Sequence, residues 1–498
     1  MAQLEENALD ILKKRNPQIA VYKRGLPDTG FSKVDTDLMM DKIDDTYRRG
    51  NKVYSMDWQI RTDMHPFNLG NGSPLKWSPF PCSIQEIATL SKSDSMSQYA
   101  YAAGDANCRA RVAAYLQKKS FQSNAEDGSV LPSQLIFFHS TTEAFSILMN
   151  LICVPGDVVL FTAPTYGLFA YAPERVGAHA RFLPLREEDQ WLPNADLLEK
   201  MIVQINSSLP TRNRVVAFFN MNPHNPTGRV MGKCHYDLLK KICQVCKNNG
   251  VFLIDDIIYW DLCYNTEEAS LPVACIPGTF EYTITLFGTS KSYGLAGARA
   301  GAIFADEVVI RGLRNKIFQQ MDSTSLLTAH LMAGAFQNSF EREKVYKSYF
   351  SPLLRIYREN WSLVQLMICG RTRCRKIPKK YAMDCFFQEF SKEAQQILEN
   401  GFYPLKLAGG IVPEAGFFAL IDFTGLLGKK SKNTGESILD EVDVIYHFYR
   451  SANVKLLTGG SFAWPDSKQI VSRVSFAYSV PELLRAFHQL KRAMDELI

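Results

Sequence analysis

Residues 288–301 read Gly-Thr-Ser-Lys-Ser-Tyr-Gly-Leu-Ala-Gly-Ala-Arg-Ala-Gly. Lys291 stands among small residues, so its amine can come close to a ligand, and Arg299 follows eight residues later as a permanent cation. Such an amine can form a Schiff base, and a guanidinium can hold a phosphate. A glycine-rich surface turn with incidental basic residues would have the same composition. The rest of the chain must therefore decide between a binding loop and a plain turn.

One cofactor requires both groups together. An amine holds pyridoxal phosphate covalently through its aldehyde, while charge and hydrogen bonds hold its phosphate. If other suitable groups accompany Lys291 and Arg299, this stretch predicts a site for that cofactor.

The composition of the 498 residues favours a protein that handles small molecules. Hydrophobic residues make up 46%, and 56 basic against 51 acidic residues leave a net charge of only +5. There is no long basic run that would follow a nucleic acid backbone. No run of 18 apolar residues occurs, and the first residues are acidic where a signal peptide would be basic. We expect a soluble, unsecreted protein without nucleic acid or membrane partners.

The eleven cysteines are an odd number scattered along the chain, which suits reduced thiols and favours the cytoplasm. Cys243 and Cys246 form a C-x-x-C pair that could indicate zinc or redox chemistry. They share the helical apolar spacing of Leu239 and Ile242, and no second ligand pair follows at zinc-site spacing. We predict plain helix core here and no metal site.

After Pro132, apolar strands and helices alternate. This alternation predicts βαβ units and therefore an α/β fold, with a mostly parallel central sheet flanked by helices. The predicted helices span 105–118, 140–151 and 232–249, and the predicted strands span 135–138, 158–161, 215–219, 251–254 and 283–287.

Polar and aromatic residues follow these strands, at the sheet edge where open α/β sheets bind ligands. Thr141 and Thr142 open a helix whose N-terminus suits an anion, although an ordinary N-cap with Glu143 in the first turn would look the same. Tyr166 follows the next strand and can stack on a planar ring.

Two further strands deliver polar groups to the same edge. Asn225 lies on a loop stiffened by two prolines. Asp255, Asp256 and Tyr259 follow the strand after it. A carboxyl group at such a buried strand end seeks a cation, which a protonated pyridine nitrogen can provide.

Four motifs, in order, resemble the class I and II aminotransferases, the aspartate aminotransferase-like group of fold-type I pyridoxal phosphate enzymes. The resemblance covers the chain from about residue 66 to its end. It implies a fold-type I large domain, a smaller α+β domain and pyridoxal 5′-phosphate as cofactor. The motifs are Asn-Pro-Thr-Gly at 225–228, Asp-Ile-Ile-Tyr-Trp-Asp-Leu at 256–262, Ser-Lys-Ser-Tyr-Gly-Leu-Ala-Gly-Ala-Arg at 290–299 and Arg-Val-Ser-Phe-Ala at 473–477.

The resemblance implies catalytic roles for Lys291, Asp256 and Tyr259. Lys291 would hold the cofactor as an internal aldimine and then carry protons between the substrate α-carbon and the cofactor C4′. Asp256, chosen over Asp255 because Tyr259 lies three residues beyond it, would pair with the pyridine nitrogen. Asn225 and Tyr259 would hydrogen-bond the phenolic oxygen of the ring and lower the pKa of the imine.

Other residues would bind the cofactor ring and its phosphate. Tyr166 would stack on the ring. The family often has a serine three residues before the lysine, where this chain has Gly288, and a small residue at Thr141, so the phosphate contacts differ in detail. The implied phosphate ligands are Thr141, Thr142, Ser290 and Arg299.

The substrate side of the site also follows from the resemblance. Arg473 would clamp the substrate carboxylate in a bidentate contact beside Asn225. The loop with Gly70 and Gly72 would close over that carboxylate. Tyr99 matches a family tyrosine that reaches the phosphate of the neighbouring subunit, which implies a homodimer with shared active sites.

The predicted domains are an N-terminal arm with part of the small domain (1–95), a large cofactor-binding domain (96–340) and a small C-terminal domain (341–498). The segment 371–400 is longer than the family pattern, so we expect elaborations of the small domain there. Further expectations are helices at 4–14, 363–369 and 393–398. The stretches 409–418 and 455–462 would supply the small domain's sheet and its loops near the substrate.

The leading hypothesis is an aminotransferase that moves an amino group from an α-amino acid to a 2-oxo acid through a pyridoxamine intermediate. An alternative keeps the cofactor and changes the reaction to that of a lyase, decarboxylase or oxidase. A third, a non-catalytic cofactor-binding regulator, is disfavoured because the N-terminal segment is nearly neutral in charge. Donor and acceptor specificity does not follow from the sequence.

Overall fold

A computed structural model describes residues 45, 46, 49, 67–374 and 376–498. The predicted arm, residues 1 to about 65 with its helix at 4–14, lies outside the described residues except at those three positions. Thr46 donates a hydrogen bond to Glu441 at 2.9 Å, and Arg49 forms an ion pair with Asp440 at 3.0 Å. These two arm residues therefore contact the C-terminal part of the chain.

The strands of the described part group into sheets. They are β1 (Phe67–Asn68), β2 (Leu135–Phe138), β3 (Val158–Ala163), β4 (His179–Pro184), β5 (Val215–Met221), β6 (Phe252–Asp256), β7 (Thr283–Gly288), β8 (Gly301–Phe304), β9 (Lys406–Leu407), β10 (Phe418–Asp422), β11 (Val454–Lys455), β12 (Leu457–Thr458) and β13 (Val471–Ser475).

Helices surround the strands and are numbered here from Pro81. They are α1 (Pro81–Leu90), α2 (Ala106–Lys118), α3 (Thr141–Ile152), α4 (Gly167–Arg175), α5 (Ala195–Ser208), α6 (Tyr236–Asn248), α7 (Glu307–Met321), α8 (Leu326–Ala335), α9 (Phe340–Cys369), α10 (Lys380–Glu389), α11 (Ala394–Asn400), α12 (Glu441–Ala452) and α13 (Val480–Asp495).

The larger sheet has seven strands in the order β2-β8-β7-β6-β5-β3-β4. Only β8 runs antiparallel to its neighbours, and the other pairings in this sheet are parallel. The predicted α/β fold with a mostly parallel central sheet is thus confirmed. β4 and β8 were not predicted, because β4 is an edge strand interrupted by His179 and Arg181 and β8 has only four residues.

The five predicted strands are present, and several extend beyond the predicted ends. β5 and β6 keep their ladder through the pairs Asn220–Asp255 and Met221–Asp256, past the last apolar residue of each predicted strand. Sequence hydrophobicity ends before the backbone hydrogen bonding does. Polar side chains are therefore held rigidly at the sheet edge.

A second sheet has four antiparallel strands in the order β12-β13-β10-β9. The predicted helix at 363–369 is the last part of α9, which has 30 residues, and the one at 393–398 corresponds to α11. β1 pairs in parallel with β11, so the first described strand joins the C-terminal part of the chain. The predicted domain boundaries remain a prediction.

The core on the α3 side of the large sheet is aromatic. Phe145 stacks on Phe169 with ring centroids 4.7 Å apart and meets Phe219 edge-on at 5.2 Å. On the other side, Cys243 and Cys246 lie on the buried face of α6, at 8% and 0% exposure. Among the described residues, no helix combines the length and the apolar character that crossing a membrane requires.

Candidate active site

A cavity of about 400 Å³ lies at the carboxyl ends of β5, β6 and β7. Because these strands are adjacent and parallel, their ends meet on one edge. The small sheet and the loop after β1 contribute the opposite wall. The predicted residues that line the cavity are Gly70, Gly72, Thr141, Thr142, Tyr166, Asn225, Asp256, Tyr259, Ser290, Lys291, Arg299 and Arg473.

Lys291 projects its amine into this cavity three residues after β7 ends. The amine donates a hydrogen bond to the carbonyl of Gly72 at 2.6 Å. Burial, followed by the positive charge of Arg473, lowers the pKa of Lys291 to about 8. A Cβ atom at position 72 would lie 3.6 Å from the amine, so the loop passes close to the lysine. The neutral, nucleophilic amine is thus accessible near neutral pH.

Asp256 is the last residue of β6, and its side chain points into the cavity. It is 1% exposed, and burial raises the pKa of its carboxyl to about 7. Asp255 points to the other face, where it accepts hydrogen bonds from the N–H of Val273 at 2.8 Å and from Asn220 at 3.2 Å. Strand alternation therefore supports the choice of Asp256. A cation in the cavity would favour its charged form.

Arg473 on β13 reaches the cavity from the small sheet. Its guanidinium donates to Asn225 Oδ1 at 3.0 Å and to the carbonyl of Gly70 at 2.9 Å. The ring of Phe418 lies beneath it, 4.1 Å from the guanidinium carbon. These contacts fix the orientation of the planar cation. An anionic group entering the cavity can then meet a preoriented fork of donors.

The N-terminus of α3 forms the end of the cavity suited to a phosphate. Ser140 accepts a hydrogen bond from the N–H of Glu143 at 3.1 Å, so the ordinary N-cap is present. Thr141 and Thr142 nevertheless line the cavity, and Arg299 lies there with a left-handed backbone at φ 55°. A helix N-terminus, hydroxyls and a guanidinium together suit a phosphate.

Gly288 shows why the chain departs from the family serine at this position. A Cβ atom there would lie 2.7 Å from the carbonyl oxygen of Ala300 on the antiparallel strand side. Gly288 pairs with Gly301 on β8. A Cβ atom added at Gly301 would lie 2.7 Å from the amide nitrogen of Thr141. Close packing of β7, β8 and α3 therefore excludes side chains at both positions.

Two tyrosines border the cavity. Burial raises the pKa of Tyr259, whose ring lies 6.0 Å from the Lys291 amine and packs edge-on against Phe417. Tyr166 precedes α4, and burial also raises its pKa. Both tyrosines line the same cavity as Lys291 and Arg473.

Tyr99 is the one predicted site residue that does not reach this cavity. It is 90% exposed and lines a separate surface cavity of about 690 Å³, together with Tyr101 and Arg314. Phe418 and Leu457 lie in the two stretches predicted near the substrate, 409–418 and 455–462, and both are at the site, whereas Leu168 also lines the cavity and was not predicted. Phe418 lies beside Arg473 only through the β10–β13 register, which no sequence pattern discloses.

Solved structures of other proteins share the fold of this chain. The aspartate aminotransferase from Rhizobium meliloti superposes with a TM-score of 0.69, covering 96% of this chain and 100% of that chain at 16% identity. The architecture is therefore that of a fold-type I aminotransferase. The chain belongs to the class I and II aminotransferase family, whose sequence model matches residues 65–351.

Individual relatives are similar over shorter stretches. Histidinol-phosphate aminotransferase from Blochmanniella pennsylvanica is 32% identical over 199 residues, which are 40% of this chain and 50% of that relative. Aspartate aminotransferase from Musicola paradisiaca is 26% identical over 269 residues, 54% of this chain and 61% of that relative. The chain thus spans about half the length of the curated relatives it matches.

The family depends on pyridoxal phosphate, and the residues of this cavity fit that group. The cavity holds a lysine amine with a lowered pKa, and a buried carboxyl with a raised pKa that a pyridinium would stabilise. A helix N-terminus with two threonines and Arg299 lies at another part of its wall. The donor set therefore matches an aldehyde, a pyridine nitrogen and a phosphate.

Proposed function

We propose that this protein is a pyridoxal phosphate-dependent aminotransferase that moves an amino group from an α-amino acid to a 2-oxo acid. The observation that carries the proposal is the meeting of Lys291, Asp256 and Arg473 in one cavity. Family membership and the names of the relatives, all aminotransferases with different substrates, support amino group transfer without selecting a substrate.

In this proposal the cofactor supplies an aldehyde for covalent attachment and a protonated ring that withdraws electrons from the substrate α-carbon. Lys291 would hold the cofactor through its amine and would move the proton of the substrate α-carbon, tasks that suit a pKa of about 8. Asp256 would keep a proton on the ring nitrogen, and Tyr259 and Asn225 would hold the ring hydroxyl, since all three line the cavity.

The chain's other groups hold the two anions and exclude water. Arg473 binds the substrate carboxylate with its guanidinium, and the loop carrying Gly70 covers it. Tyr166 stacks on the ring. The proposed phosphate ligands are Thr141, Thr142, Ser290 and Arg299.

The half-reaction tests this function. Purified protein loaded with pyridoxal phosphate is mixed with single amino acids, without an acceptor. The proposal expects loss of the lysine-bound absorbance band with one equivalent of 2-oxo acid released. Release of ammonia, carbon dioxide or peroxide would instead indicate the lyase, decarboxylase or oxidase alternative. A protein that never binds the cofactor would contradict the proposal.

We also propose a homodimer in the cytoplasm. The exposed Tyr99 cannot serve its own cavity, but it could serve that of a second copy, as the family resemblance implies. All eleven cysteines are unpaired, which suits a reducing compartment. Sedimentation of wild type and Tyr99→Ala, with cofactor titration of each, tests the shared site: the variant should remain dimeric and bind the cofactor more weakly.

A further inference from the structure

A fully buried arginine lies behind the cavity without lining it. Arg342 stands near the start of α9 and is 0% exposed. Its guanidinium carbon lies 4.6 Å from the ring centre of Tyr115 and 4.4 Å from that of Tyr346. Burial of a cation is costly unless charge and hydrogen bonds compensate it, so its partners are informative.

The partners form a continuous chain of hydrogen bonds. Arg342 donates to the hydroxyl of Tyr293 at 3.0 Å, and that hydroxyl donates to Asp261 Oδ2 at 2.8 Å. Tyr346 donates to the other carboxylate oxygen of Asp261 at 2.8 Å. We call Arg342, Asp261, Tyr293 and Tyr346 the arginine cluster. Glu343 lies near it, 3.7 Å from the Arg342 guanidinium.

The position of two members along the chain is the decisive observation. Tyr293 comes two residues after Lys291, and Asp261 comes two residues after Tyr259. Both segments have left their strands, since β7 ends at Gly288 and β6 at Asp256. The Tyr293–Asp261 hydrogen bond therefore ties together the two segments that carry the lysine and the tyrosine of the cavity.

A backbone hydrogen bond joins the end of β7 to the segment after β6. The N–H of Ile257 still donates to the carbonyl of Leu286 at 2.9 Å, which continues the ladder just past β6. Beyond that point, the side-chain bond between Tyr293 and Asp261 joins the two segments. Small shifts of a reacting group lower the rate by large factors. A hydrogen bond that links these two segments therefore bears on the reaction rate.

We propose that Asp261 and Tyr293 are positioning residues that set the distance between Lys291 and Tyr259, and that Arg342 holds both in place. This inference rests on the proposed function for its catalytic consequence. A merely structural cluster predicts losses of stability with an unchanged pH midpoint of the lysine-bound cofactor absorbance. A positioning role predicts unequal effects, because Tyr346 lies on α9 and not on a cavity segment.

The chain offers a matched pair of variants. Tyr293→Phe and Tyr346→Phe each remove one hydroxyl bonded to Asp261 at 2.8 Å, and both keep an aromatic ring. Tyr293→Phe also removes the acceptor of the Arg342 hydrogen bond, so the free energy of unfolding of both variants is measured beside their kinetics. We expect Tyr293→Phe to lower kcat about tenfold, with KM little changed, and to shift the pH midpoint of the lysine-bound cofactor absorbance. Tyr346→Phe should stay within about twofold of wild type in both. Equal effects, or none from Tyr293→Phe, would overturn the proposal.

A readout in the cofactor-free protein separates this proposal from the proposed function. Amide hydrogen exchange is followed in residues 257–262 and 289–294. Tyr293→Phe should raise exchange in both segments, whereas Tyr346→Phe should leave residues 289–294 as in wild type. If wild type binds no cofactor, the proposed function is wrong. The exchange comparison still shows whether the Tyr293–Asp261 hydrogen bond holds the two segments together. Unchanged exchange in Tyr293→Phe would contradict it.

Discussion

Two groups of charged side chains lie close together in this protein, and they differ in how their charges are balanced. In the arginine cluster, two tyrosine hydroxyls bond both oxygens of Asp261, and aromatic rings sandwich Arg342. In the cavity, Asp256 has a raised pKa and Lys291 a lowered one, because burial penalises both charges. Burial raises pKa values in the arginine cluster too, at Tyr293 and Tyr346. The difference lies in the partners: Asp261 is bonded by side chains of the chain itself, whereas Lys291 and Asp256 face a cavity that can admit a ligand.

We expect the largest loss of activity from a substitution in the cavity. Lys291→Ala removes the amine that attaches the cofactor and carries the proton, so amino group transfer should fall by about 10⁴-fold. Steady-state assays with the best donor measure it. Lys240→Ala, at an exposed position on α6, is the control and should retain wild-type activity. Full transamination by the Lys291 variant would disprove its role.

Arg473 should show the next largest effect. Arg473→Ala removes charge-assisted bonds to the substrate carboxylate, and we expect KM to rise by about 100-fold, from roughly 1.5–3 kcal/mol of lost interaction. Arg473→Lys should recover only part, since a lysine cannot form the bidentate contact. Donor titrations measure both. If the alanine variant discriminated amino acids from their decarboxylated amines as wild type does, the assignment would be wrong.

Asp255 and Asp256 are neighbours on β6, and we expect their substitutions to affect different properties. Asp256→Asn should lower kcat by about 100-fold, because a neutral amide cannot keep a proton on the ring nitrogen. Asp255→Asn should instead lower the free energy of unfolding by about 1–3 kcal/mol, since one of its bonded donors loses an acceptor. Kinetics and denaturant unfolding of both variants distinguish them. Reversed outcomes would assign the site to Asp255.

The pH dependence follows from Lys291. Its pKa is lowered to about 8, so the attacking neutral amine increases as pH rises through 8. Attachment of pyridoxal phosphate to cofactor-free protein should therefore accelerate between about pH 7 and pH 9 and then level off. Absorbance in stopped-flow mixing measures the rate. A midpoint near the ordinary lysine value of 10.5 would show that the amine is not buried as described.

The smallest effect concerns stability. Gly288→Ala places a Cβ atom 2.7 Å from the Ala300 carbonyl oxygen, and should cost about 1–3 kcal/mol of unfolding free energy. Gly297→Ala is the control, because no atom lies within 4 Å of its added Cβ. Denaturant unfolding should show the control within about 0.5 kcal/mol of wild type. Equal stability of the two variants would contradict the packing explanation.

The sequence predicted the parts of the site that follow from strand ends. Apolar runs ending at Asp256 or before Lys291 bring those residues to one edge, because parallel strands share a direction. The antiparallel β8 and the edge strand β4 were missed, since a short strand and an interrupted one lack an apolar run.

Contacts set by tertiary register were also beyond the sequence. Phe418 reaches Arg473 through pairing of β10 with β13, and Arg342 reaches Tyr293 from a helix 49 residues away along the chain. Neither spacing has a periodic signal. The resemblance predicted which residues belong to the site, while the structure showed which neighbours contact them.

Borohydride reduction followed by peptide mapping identifies the lysine that binds the cofactor. Wild-type protein is loaded with pyridoxal phosphate, reduced and digested, and the modified lysine is located by mass spectrometry. We predict one modified residue per chain, Lys291, and loss of that modification in Lys291→Ala. Modification of a different lysine, or none under saturating cofactor, would contradict the account of this cavity.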